Sequence, residues 1–133
     1  GPFIRLFDET FSLDDVRNAD IHLSVTGEDG FQLDEISPMS KISRDVLDLV
    51  AQTINAHHQY PDGLALFTGT SFAPTQDRGA KGQGFTHNVG DVVSIRADKL
   101  GTLQNRVTYT HHAPPWQFGF TALMNNLSQR GLL

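Results

Sequence analysis

At 133 residues, with 38% apolar and 19% charged side chains, the chain is long enough to bury a core and has a globular rather than a disordered balance. A net charge of −5, with no cluster of Lys or Arg, argues against nucleic acid or an anionic membrane surface as a partner. The lack of cysteine excludes disulfides and thiolate chemistry; with no run of 18 apolar residues and no signal-like start, a cytoplasmic protein is expected.

Gly1-Pro2 without a Met suggests a tag-cleavage scar or a piece of a longer chain. Phe3 to Phe7 is a short apolar stretch that suits an edge strand or an extended lead-in, and Ser12 suits the N-cap of a helical turn. Ile21, Leu23 and Val25 alternate with His22, Ser24 and Thr26, the period of a half-buried strand. Gly27-Glu-Asp-Gly30 supplies turn chemistry, and residues 31–36 alternate again, which predicts a hairpin.

Ser43 is placed to cap a helix in which Val46, Val50 and Ile54 recur at four-residue steps, widened by Leu47 and Leu49. The pattern fades at His57-His58, and Pro61 ends any continuation. Leu64 to Thr68 is an apolar run of strand length that ends in Gly69-Thr70. A strand end opening on Gly-Thr and then a loop is a common place to hold a small anion. Residues 71–84 are rich in Gly and Pro and read as a long loop, and loops of that length are often functional. Val92 to Ile95 and Leu103 to Tyr109 read as strands around an Asp98–Gly101 turn, and His111 to Pro115 breaks the second. Phe120, Leu123, Met124 and Leu127 mark a C-terminal helix, with Gly131 at its end. The order predicts a single α+β domain over 1–133, dominated by strands, with a central and a C-terminal helix.

Chemistry is harder to place. His57 and His58, adjacent at a helix end, diverge by about 100° and cannot easily share a metal. His111 and His112, if extended, point to opposite faces. Asp14-Asp15, Glu28-Asp29, Asp34-Glu35 and Asp45 with Asp48 are candidate carboxylates for Mg²⁺ by composition, but each also suits a turn, a hairpin face or a helix start. Ser71 lacks a Gly-x-Ser-x-Gly elbow, and Gly79 to Gly84 is not a phosphate-binding Walker loop. Arg78 and Lys81 are placed to clamp a substrate carboxylate, or are two solvated loop cations.

Several ordered motifs resemble the fumarylacetoacetate hydrolase family. Gly90-Asp-Val-Val93 followed by Leu100-Gly-Thr-Leu-x-Asn-Arg-Val107 is similar to that family's C-terminal signature. Leu66-Phe-Thr-Gly-Thr70 resembles its Thr-Gly-Thr-Pro turn, with Ser71 in place of the proline. Val25-Thr-Gly-Glu28 with Gln32 and Met39 is similar to an upstream segment, and Gly1-Pro2-Phe3 to the Gly-Pro that opens this part of the family. The resemblance covers nearly the whole chain.

It implies a mixed β-roll of the fumarylacetoacetase C-terminal type, usually dimeric, and an enzyme that hydrolyses or decarboxylates carbon–carbon bonds of small keto acids of the acylpyruvate or β-diketo class. Such enzymes use Mg²⁺, or Mn²⁺ or Ca²⁺, as a Lewis acid. The family's Glu-x-Glu pair, downstream Asp and catalytic Lys precede the Gly-Pro segment and have no counterpart in these residues. The chain is therefore expected to be the C-terminal part of such a catalytic domain, without metal ligands or catalytic residues of its own and inactive alone. Gly69, Thr70, Arg78 and Lys81 are its expected substrate-binding residues. Its expected partners are a small keto acid and a second copy or the missing N-terminal half. The competing expectation is a non-catalytic binding or assembly module that reuses the fold and associates through exposed strand edges.

Overall fold

A computed structural model describes residues 5–71 and 73–133. Ser12 and Asp15 form a capping box that starts α1, Leu13–Arg17, as its Ser-x-x-Asp spacing requires. The alternating run folds as β1, Asp20–Thr26, which turns through Gly27–Gly30 into β2, Gln32–Pro38. After a 3-10 turn at Met39–Lys41 come α2, Val46–Thr53, and a long irregular connection. β3, Val92–Ala97, and β4, Gly101–Arg106, form the second hairpin, and α3, Phe120–Gln129, closes the chain.

The two hairpins join into one antiparallel sheet of order β2-β1-β3-β4. Leu23 lies opposite Glu35 on β2 and Ile95 on β3, and Ile95 lies opposite Leu103 on β4. Residues directly opposite share a face, so one face carries Ile21, Leu23, Val25, Leu33, Val93, Ile95, Ala97 and Leu103, with Glu35, Ser37 and Asn105 among them. The other carries His22, Ser24, Asp34, Ser94, Arg96, Thr102 and Gln104. The fold is thus α+β, as the order of elements predicts.

The core is small and lies at two places on the apolar face. Val25 and Leu33, opposite each other, are buried near the first turn, and Phe11 and Ala97 are buried at the far end. Between and beyond them Ile95 and Leu103 remain 42% and 37% exposed. Leu47 and Val50 of α2, Ile54 at its C-cap, and Phe120 and Leu123 of α3 are exposed too, although both helices have the apolar stripe their spacing predicts.

Several expectations are corrected. Asp45, not Ser43, caps α2: its carboxylate accepts the Leu47 N–H at 2.9 Å and also takes the Arg17 guanidinium at 2.6 Å. A carboxylate held by a cation from another element outcompetes a lone upstream hydroxyl. Leu64 to Thr68 forms no strand; an apolar run needs a strand edge with which to exchange hydrogen bonds, and here it has none. β4 begins at Gly101 and ends at Arg106, two and three residues earlier than expected, because Leu100 N–H bonds Ala97 and closes the turn at once. His111 and His112 are not extended: a 3-10 turn brings their rings to 4.2 Å, with Tyr109 stacked on His111. The end of α3 matches expectation. Gly131, at φ 64°, donates to Ser128 and Leu132 donates to Leu127, the paired bonds of a Schellman end. Of the predicted lead-in, Phe3 and Ile4 lie outside the described residues, as does Gly1-Pro2, and 5–7 forms no strand.

Candidate small-molecule site at the Gly69–Ser71 turn

Gly69 adopts φ 77°, a left-handed conformation that L side chains resist. No atom lies within 4 Å of where its Cβ would be, so glycine is needed for the backbone path and not for close approach. The turn this makes lies at the rim of a cavity of about 350 Å³. Ile21, Leu23 and Ile95 form its floor on the apolar sheet face, Met39 and Ile42 one side, and Pro74 another. Ser37, Gly69, Thr70 and Ser71 supply the polar rim.

Ser37 is the residue that organises this rim. It stands opposite Ile21, so the pleat turns its hydroxyl to the apolar face, and it is buried. Its oxygen accepts the Ser71 N–H at 3.1 Å, lies 2.8 Å from the Ser71 hydroxyl and accepts from the Thr70 hydroxyl at 3.5 Å. The serine that stands where the resembled turn has proline is therefore what ties the turn to the sheet, through an N–H that proline lacks. Sequence reading missed Ser37. A signal was present, since it is a small polar residue two steps of alternation from Leu33, on the face that should be apolar.

Arg78 and Lys81 do not line this cavity. Lys81 is exposed on the loop. Arg78, by contrast, has a side chain only 5% exposed. Its guanidinium takes Asp91, 1% exposed, through both oxygens at 2.5 and 2.9 Å, and Asp29 at 2.9, 3.0 and 3.2 Å. Its face lies 4.5 Å from the centre of the Phe31 ring. A Cβ on Gly27 would collide with Asp29 and Arg78, so this clasp also needs a glycine in the first turn. Bonds from Arg78 and from the Asn88 N–H hold the Asp91 carboxyl down to about 2, and its two carboxylates raise the Arg78 value. Asp29 is lowered too, first by the Phe31 N–H and then by Arg78. Arg78 thus forms a clasp between the first turn and the start of β3.

Asp77 accepts the N–H groups of Gly82 and Gly84, both at 2.7 Å, and their pull lowers its carboxyl value. Most of the other candidate carboxylates have cationic partners: Asp14 and Asp45 take Arg17, Asp15 takes Lys99, Glu28 takes Arg106, and Asp48 takes Arg44, while Asp34 and Glu35 are exposed on β2. Among the described residues, no three His, Asp or Glu side chains gather into a set that fits a divalent ion. No step can be routed through a metal held by these residues. No carboxylate, imidazole or amine of the described residues lines the cavity either. What the rim carries is the hydroxyl groups of Ser37, Thr70 and Ser71 and the Ser71 N–H, bonded to one another through Ser37, over an apolar floor.

No family model, curated protein or solved structure matches the chain. No helix among the described residues is long and apolar enough to cross a membrane.

Proposed function

We propose that this chain is the substrate-binding portion of a fumarylacetoacetate hydrolase-like enzyme, a divalent-metal-dependent hydrolase or lyase acting on carbon–carbon bonds of small keto acids. The observation that carries this reading is the Gly69–Ser71 turn at the rim of an apolar cavity, with the Ser37 hydroxyl fixing it. In this reading the rim takes the substrate carboxylate or a developing oxyanion, and the apolar floor takes the remainder. The roll fold, a cytoplasmic setting and a dimer or a pairing with an N-terminal half belong to the same proposal. Mg²⁺ and the proton-transfer groups would come from that other half, so the chain alone binds without turnover. Titration with oxalate and pyruvate, each with Mg²⁺, tests it by calorimetry. We expect a binding event that Thr70→Ala or Ser37→Ala weakens; no event with either acid, or hydrolysis of an acylpyruvate by this chain alone, would overturn it.

The open apolar sheet face supports a second reading, a non-catalytic assembly module. A soluble monomer seldom leaves a continuous apolar face unpartnered. A stable oligomer that is indifferent to both acids would favour this reading over the first.

A further inference from the structure

Three described residues, Ser71, Gln76 and Arg78, meet β2 and the turn before it in reverse order. Ser71 is tied to Ser37, Gln76 donates to the Gln32 carbonyl at 3.2 Å, and Arg78 takes Asp29 just before β2 begins. As the numbers of one rise, those of the other fall, so the described residues of this segment run antiparallel to β2 as a further strand would, over the face that carries the cavity. The segment is not a strand. Pro74, in its middle, has no N–H to give, and none of the three ties is a backbone-to-backbone ladder bond. Such a strap takes its position from its ends.

One end is the rim of the cavity and the other is the buried Arg78 clasp, with Pro74 of the strap forming a cavity wall between them. We propose that Arg78 is a positioning residue for the Gly69–Ser71 turn. By gripping Asp29 and Asp91 together it sets the far end of the strap, and so holds Pro74 and Ser71 against β2 without touching a ligand. A bidentate guanidinium suits this task because it bridges two carboxylates in one plane; a lysine ammonium in its place has no such fork. The bearing of this device on ligand binding rests on the function proposed above, but its mechanical part does not.

Amide hydrogen exchange by NMR on the whole chain tests it, comparing wild type with Arg78→Met and Arg78→Lys. The expected result is that the Ser71 amide exchanges about tenfold faster while the Val25 and Ile95 amides in the sheet keep their protection. Unchanged exchange at Ser71 would overturn the proposal. So would an equal loss at Ser71, Val25 and Ile95, which would make Arg78 a prop for the whole sheet. If Arg78→Met does not fold, Arg78→Lys, which keeps a charge beside Asp91, decides between these outcomes. Titration of the same proteins with oxalate separates the two claims. Weaker oxalate binding in Arg78→Lys joins the strap to the site, whereas a wild type that ignores oxalate sinks the proposed ligand and leaves the exchange result to decide the strap.

Discussion

The Arg78 clasp and the apolar face of the sheet invert the usual distribution of side chains. At the clasp, three charged groups meet and two of them are almost wholly out of water. On the face, Ile95 and Leu103 keep 42% and 37% of their surface in water, although Ile95 also floors the cavity. Burial of charge is tolerable only where the partners saturate one another, and here the Arg78 fork, the two carboxylates and the Asn88 N–H do so. Exposure of apolar groups costs little locally but leaves the helices without a surface to pack on. Local order is thus fixed at the turn end of the sheet by polar bonds, while the apolar face contributes less than its composition promises.

Mutation can break this contrast. The largest effect is expected at the clasp: Asp91→Ala leaves the Arg78 charge buried with half its partners gone, and should cost about 3–5 kcal/mol in urea unfolding. If the loss is under about 1 kcal/mol, the clasp is no keystone. Acid should act through the same residue. The Asp91 carboxyl stands at about 2 in the fold against an ordinary 3.8, a lowered value. Its stabilisation is therefore complete above the ordinary value and is lost as pH falls toward 2. The urea midpoint of the wild type should drop across that window more steeply than that of Asp91→Asn. The smallest effect belongs to the open face. Ile95→Thr and Leu103→Ser should each change stability by less than about 1 kcal/mol while reducing the binding of an apolar dye. A loss of several kcal/mol would show that the face is covered in solution.

The parts of this architecture legible in the sequence are those that rest on neighbours in the chain. Alternation placed β1 with its turn, Ser12 marked the start of α1, and Gly131 marked the end of α3. Leu64 to Thr68 had strand composition without a partner edge, which no local pattern reports. Asp45 took the cap from Ser43 because of Arg17, 28 positions away. Arg78 was visible as a cation able to grip carboxylates, yet its carboxylates are 49 and 13 residues distant, and only the folded hairpin brings them to one point. The Gly69-Thr70 turn was legible as a turn, whereas Ser37, 33 residues from Thr70, became its anchor only through the sheet.

Among the described residues no strand pairs with the outer side of β4, and β4 carries no proline. Strand addition needs a bare edge of this kind, so the outer side of β4 is a place where a further strand could continue the sheet.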